Sequence, residues 1–192
     1  MDRALFHSLN GMHLDLLAKA GHLLGTAPVL AILAILFAVA RSAPRNVRTI
    51  ALVFAPALIG LVLAAGVAQL LKHTVRRQRP LGSMKTVYVV GAPRKGKTSF
   101  PSGHTTGAAA LAVWLWFGSR RGANLRGIEI AAKILGIVLL GVVAAGRIAA
   151  GAHYPSDVAG GFVVGASIMA ITLVLWERRL REIVESRWRQ PA

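Results

Sequence analysis

Lys72 and Arg79 are separated by six residues, with Arg76, Arg77 and Pro80 beside them. An arginine presents a planar fork of donors that matches phosphate oxygens, and a lysine presents a compact point charge. The same cluster would also serve as snorkelling side chains at a membrane surface. The run Phe100-Pro101-Ser102-Gly103-His104-Thr105-Thr106-Gly107 has the composition of a loop turning into a helix. Ser102 suits the N-cap, Gly103 admits close approach of a ligand to the backbone, and the N–H groups of a helix start bind anions. Capping explains Pro-Ser-Gly but not His104, an ionisable residue at the mouth of an apolar stretch, where function is the default expectation. In the third run, Arg147 and His153 are separated by five residues, and His153 and Asp157 by three. Asp157 either complements the dipole of the helix it opens or orients the His153 imidazole, as a carboxylate orients a catalytic base. Together these residue types can bind a phosphoryl group, transfer protons at neutral pH and stabilise developing negative charge.

The elements that must hold these runs are apolar helices. The chain has 192 residues, 55% of them hydrophobic, with a formal net charge of +16. Its apolar residues form long blocks separated by basic loops, the pattern of a polytopic helical membrane protein. Because the bilayer core holds no water, such blocks satisfy their own backbone groups as helices. We expect one all-α domain over residues 1–192, a transmembrane bundle with five strong spans at about residues 27–40, 47–71, 105–117, 128–150 and 158–176. The third block is short and is expected to start inside the protein. Residues 2–25 mix Leu5, Phe6 and Leu9 with His7, Asn10, His13 and Asp15, which predicts an amphipathic or sixth helix at the interface or against the bundle. They lack the order of a signal peptide. Residues 177–192 are read as a charged, exposed helical tail. Lys72 then falls on the last turn of its helix, and Arg79 reaches back from the following loop.

Charge sets an expected topology. Arg41, Arg45, Arg48, Arg120, Arg121, Arg126, Arg178, Arg179, Arg181, Arg187 and Arg189 all lie in loops or the tail on one side, which the positive-inside rule makes cytoplasmic. Residues 72–101 and the turn at His153 then share the outer face, so that Ser83 is outside and Ser119 inside. The outer segment is itself basic, against the topological bias, and phosphate binding supplies a reason for its charges. Nucleic acid is not an expected partner, because the basic residues sit at span ends without interleaved stacking aromatics. The chain has no cysteine, which removes a thiol nucleophile and a thiolate metal site.

The three runs in order, Lys-x6-Arg-Pro, Pro-Ser-Gly-His and Arg-x5-His-x3-Asp, resemble the signature of the type 2 phosphatidic acid phosphatase superfamily over residues 72–157. The family usually has Ser before the third-run Arg, where this chain has Gly146. That departure removes a possible phosphate hydroxyl. The resemblance implies that His153 is a nucleophile forming a phosphohistidine, that Asp157 fixes its tautomer, and that His104 protonates the leaving oxygen and then activates water. It implies that Lys72, Arg79, Arg147, Ser102 and Gly103 hold the phosphoryl oxygens without metal or cofactor. The sequence agrees in having no carboxylate cluster near the runs to hold Mg²⁺.

The implied partner is a lipid phosphate within the bilayer. Small size, minimal loops and the His-Thr-Thr-Gly continuation look like bacterial undecaprenyl-pyrophosphate phosphatases of the inner membrane, with the site facing the periplasm. Phosphatidic acid, phosphatidylglycerol phosphate and lipid A are the family's other substrates. Lys85, Arg94, Lys95 and Lys97 would suit a substrate with more than one phosphate, or would simply attract a basic loop to lipid headgroups. A transporter would carry its ionisable residues near the midplane of its spans rather than at their ends. A phosphotransferase between lipids would use the same phosphohistidine.

Overall fold

The computed structural model describes residues 2–42, 46–91, 97–118 and 126–188, with side chains up to Leu180. Arg45, Arg94, Lys95, Ser119, Arg120, Arg121 and Arg189 lie outside the described residues. Among those residues every regular element is helical: α1 (Asp2–Asn10), α2 (Asp15–Leu24), α3 (Ala27–Arg41), α4 (Val47–Val75), the short α5 (Pro80–Ser83), α6 (Gly103–Phe117), α7 (Arg126–Ala149) and α8 (Pro155–Trp188).

Local chemistry explains the boundaries. Asn46 and Thr49 form a capping box at the start of α4. That helix ends at Arg76, in left-handed conformation with φ 47°. Ser102 caps α6, and Pro155 opens α8 at the first helical position.

α6 is the axis of the bundle and packs against α3, α4, α7 and α8. Its Ala108, Ala109, Ala110, Leu111, Trp114 and Leu115 are all buried, and with Leu30, Phe37, Leu139, Val143 and Met169 they form the main core. The outer helices turn apolar side chains away from it: Ile35 and Leu36 on α3, Val62 and Leu63 on α4, Ile134 and Ile137 on α7, Val163 and Ile171 on α8. An exposed apolar belt on every outer helix is what a lipid solvent requires.

The expectation of five strong spans is revised. Val47–Ser83, Arg126–Ala149 and Pro155–Leu180 are long and apolar enough to cross a membrane, and α2 with α3, bent by 64°, make a fourth candidate. The 15-residue α6 is about 22 Å long, short of a hydrocarbon core of about 30 Å. As expected of a block that starts inside the protein, its residues from Thr105 to Leu115 are largely covered by neighbouring helices, while Trp116 and Phe117 at its end are exposed. The expected single helix over residues 2–25 is two helices, broken where His13 takes a positive φ of 50°. Asp15 to Leu24 packs against α7 and not merely on a membrane surface. The tail is no separate element, since α8 runs unbroken to Trp188. Arg41, counted above toward topology, is buried and paired with Glu129 at 3.1 Å.

Candidate active site

The C-terminal ends of α4 and α7 and the N-terminal ends of α6 and α8 meet at one end of the bundle. The Ser102 N–H donates to the carbonyl of Asp157 at 2.9 Å, joining the α6 and α8 starts. The Lys72 amine lies against Gly103, so close that a β-carbon there would be 2.9 Å from Nζ. The loop between α7 and α8 crosses this end and carries His153. Its Gly151 has φ +70°, and a side chain there would strike the carbonyl of Tyr88, so glycine is required on both counts. α1 braces the loop from outside. The Asn10 amide donates to the carbonyls of Tyr88 at 2.7 Å and Ala149 at 3.0 Å and accepts from the Tyr88 N–H at 2.9 Å, while Phe6 packs against Tyr154.

His153 is buried, 2% exposed. Its Nδ1 lies 2.8 Å from the carbonyl oxygen of Ser99, which can only accept, so Nδ1 carries the proton. The other nitrogen, Nε2, lies 3.5 Å from Nη1 of Arg79, which can only donate. Both neighbours select the same tautomer and leave the Nε2 lone pair facing a cation. Burial is the chief cause that lowers the His153 pKa from 6.5 to about 4, opposed by Asp157 and reinforced by Arg79 and Arg147. The ring is therefore neutral at physiological pH. Arg79 is itself anchored by donation to the carbonyls of Ala152 at 3.0 Å and Thr98 at 3.3 Å.

Asp157 is fully buried. One carboxylate oxygen accepts from Arg77 at 2.8 Å; the other accepts from the Ser99 hydroxyl and from the Tyr154 N–H at 2.9 Å. The His153 ring nitrogen is farther, at 3.8 Å. Asp157 thus both caps the first turn of α8 and lies near the imidazole. The Ser99 carbonyl lies closer to the ring nitrogen than this carboxylate does. Arg77 is held in turn by Asp2 and Ser156 and stacks over Tyr154, its guanidinium carbon 4.3 Å from the ring centre. Although burial opposes it, hydrogen bonds from Ser156 and Arg77 hold the Asp2 carboxyl below the usual carboxylate range.

On the opposite wall, His104 on the first turn of α6 places Nε2 3.1 Å from Nδ1 of His22. Nη1 of Arg147 approaches the same His22 nitrogen at 3.3 Å. A guanidinium only donates, so His22 Nδ1 is an acceptor and His104 Nε2 bears a proton toward it. Ser102 is fully buried and accepts from the Thr105 hydroxyl at 2.9 Å, so its oxygen is engaged within the helix start. The residues singled out by motif, Lys72, Arg79, Ser102, Gly103, His104, Arg147, His153 and Asp157, all come to this end. Lys85 and Lys97 are exposed on the connecting segment.

The motif reading assigned no role to His22, Arg77, Ser99 or Asn10. Ser99 acts through its backbone carbonyl, which leaves no trace in residue type. His22 sits far from the motifs in the chain and had no spacing to mark it. Arg77 lies inside the first motif, where residue type alone does not set it apart from Arg76 and Arg79.

Two curated relatives, the decaprenylphosphoryl-5-phosphoribose phosphatases of Mycobacterium tuberculosis strains CDC 1551 / Oshkosh and ATCC 25618 / H37Rv, are 37% identical over 112 residues. The match covers 58% of this chain and 55% of each relative, so the chain spans about half the length of the curated relatives it matches. The fold resembles crystal structures of Aquifex aeolicus LpxE (TM-score 0.69, 24% identity, 90% of this chain and 94% of that one). It also resembles a transmembrane PAP2-type phosphatidylglycerolphosphate phosphatase from Bacillus subtilis (TM-score 0.70, 19% identity, 92% and 86%). A family model for the PAP2 superfamily matches residues 53–181, from α4 through all three motifs into α8, and the chain belongs to that superfamily.

Proposed function

We propose that this protein is a metal-independent phosphatase of membrane lipid phosphates that works through a phosphohistidine, with undecaprenyl pyrophosphate as its leading substrate. The observation that carries the reading is the tautomer of His153: Nδ1–H donates to Ser99, and the bare Nε2 faces Arg79. Nε2 attacks phosphorus as the bond to the lipid oxygen breaks, and His104 donates its Nε2 proton to that oxygen. Water then loses a proton to His104 as its oxygen attacks the phosphohistidine, releasing inorganic phosphate and restoring both rings. Lys72, Arg79 and Arg147 stabilise the spread charge of the transition state in place of a metal.

The polyprenyl choice is supported by relatives whose name specifies a decaprenylphosphoryl-5-phosphoribose substrate, a polyprenyl lipid bearing two phosphorus groups. Phosphatidic acid, phosphatidylglycerol phosphate and lipid A are the alternatives, and transfer of the phosphoryl to a second lipid would use the same intermediate. In this reading α6 and its four neighbouring spans form a five-helix bundle in a bacterial inner membrane, with the site facing the periplasm. The test is phosphate release by the purified protein from a panel of these lipids. Turnover of undecaprenyl pyrophosphate ahead of the glycerolipids supports the reading, and a preference for phosphatidic acid overturns the substrate assignment.

A further inference from the structure

α2 approaches the end of α7 more closely than side chains allow. A β-carbon on Gly21 would lie 2.9 Å from Cα of Gly146, and one on Gly146 would lie 2.5 Å from the carbonyl oxygen of Leu17. The next residue on each helix is His22 and Arg147. The absence of a side chain at Gly146 is what admits α2 to this end of the bundle. One turn before His22, Lys19 lies on the same side of α2. Lys19, His22 and Arg147, with Val90, Gly91 and Ala152, line a cavity of about 190 Å³ beside the His153 loop. Drug-sized pockets run from about 300 Å³. This one admits a phosphate or a small polar group rather than a whole lipid.

His22 Nδ1 occupies the acceptor position toward which both His104 and Arg147 point their protons. In the phosphatase reading the oxygen leaving phosphorus accepts these protons in place of His22. Whatever is bonded to that oxygen next therefore reaches the cavity, where His22 and Lys19 offer a donor and a positive charge. With Nδ1 accepting, the neutral His22 ring carries its proton on Nε2. No carboxylate lines the cavity among the described residues. The reacting phosphoryl already has Lys72, Arg79 and Arg147, and a diglyceride or a free polyprenol would gain nothing from further cations.

We propose that Lys19 and His22 form a second anion subsite, selecting substrates whose leaving group is itself a phosphate, as in a lipid diphosphate. This rests on the phosphatase reading above and names the feature by which that site chooses its substrate. Exposed Leu16 and Leu23 on the same helix leave an apolar route for the attached tail.

The test compares full-length protein with Lys19→Ala and Lys19→Arg variants on polyprenyl diphosphate and polyprenyl monophosphate of equal chain length. Lys19 is exposed, so folding is not at stake. Lys19→Ala is expected to lower kcat/KM on the diphosphate at least about tenfold more than on the monophosphate, with Lys19→Arg restoring most of the difference. Equal effects on the two substrates overturn the subsite. Repeating the assay with and without phosphatidylglycerol in the micelle identifies the other source of such an anion. A loss that appears only with that lipid makes the cavity a headgroup site and overturns the proposal. Binding of inorganic pyrophosphate against inorganic phosphate reads the subsite even without turnover: wild type should prefer pyrophosphate and Lys19→Ala should not. Absence of a preference in wild type also overturns the subsite, whereas a preference without hydrolysis of any lipid would overturn the phosphatase reading alone.

Discussion

The carbonyl oxygen of Ser99 orients His153: it lies 2.8 Å from Nδ1, inside the 3.8 Å separating that nitrogen from the Asp157 carboxylate. Asp157 reaches the ring through an intermediary, because the Ser99 hydroxyl donates to the same carboxylate oxygen. The backbone therefore sets the tautomer, while the carboxylate supplies charge and holds Ser99 and the start of α8 in place. That division of labour separates what substitutions at these positions should do.

His153→Ala should lower turnover by at least about 10⁴-fold, since in the proposed mechanism no neighbouring side chain can replace its covalent bond to phosphorus. Asp157→Asn keeps the shape but loses the charge facing the imidazolium-like intermediate, and should cost on the order of 10²–10⁴ in kcat. Ser99→Ala retains the carbonyl and should cost no more than about 10²-fold, the upper value of one hydrogen bond to a charged group. Phosphate release by the three purified proteins, each monodisperse in detergent, checks the order. A Ser99→Ala defect as large as that of Asp157→Asn would contradict the assignment of tautomer control to the backbone.

Burial lowers the His153 pKa from 6.5 to about 4, so the ring stays neutral well below the ordinary histidine range. The acid limb of kcat/KM attributable to this group should lie near pH 4 rather than near 6.5. Stability follows the same sign. The unfolded chain takes up this proton first, so the contribution is complete above pH 6.5 and is lost as pH falls toward 4, by about 3 kcal/mol at the limit. Denaturation in detergent at intervals across this range should show wild type losing more stability than His153→Asn. Parallel curves would contradict the buried neutral ring.

Chelation should leave the rate within about twofold, because in the proposed mechanism Lys72, Arg79 and Arg147 supply the positive charge that a metal would otherwise bring to the transition state. Phosphate release in the presence of EDTA checks this. Loss of activity with full recovery on adding Mg²⁺ would sink the metal-free account.

Sidedness can be read by introduced cysteines, since the chain has none of its own. Ser83 is unsuitable despite its place in the outer segment, because its hydroxyl bonds the Tyr154 hydroxyl beside the site. Thr86 and Arg178 are exposed at opposite ends of the bundle's charge pattern. A membrane-impermeant thiol reagent on intact spheroplasts should label Thr86→Cys and spare Arg178→Cys. The reverse pattern would place the active site on the cytoplasmic face and favour phospholipid biosynthesis over recycling of an outer-leaflet polyprenyl lipid.

The helical class, the order of the helices and the three motifs that meet at one end of the bundle were readable because each leaves a local mark. Apolar length marks a helix in lipid, Pro and Ser mark its start, and charged or imidazole side chains at span ends are rare enough to stand out. The depth of each helix was not readable in the same way. Hydropathy reports that α6 avoids water, and a helix covered by protein avoids water as well as one covered by lipid. Only its packing against α3, α4, α7 and α8 separates the two. The same holds for the partners around His153. Ser99 acts through a carbonyl that every residue possesses, and the loop path decides that this carbonyl meets His153. His22 meets Arg147 because Gly21 and Gly146, 125 residues apart like the pair they precede, let two helices touch. Close approach of helices depends on the shapes of both surfaces at once, and that information exists only when the chain is folded.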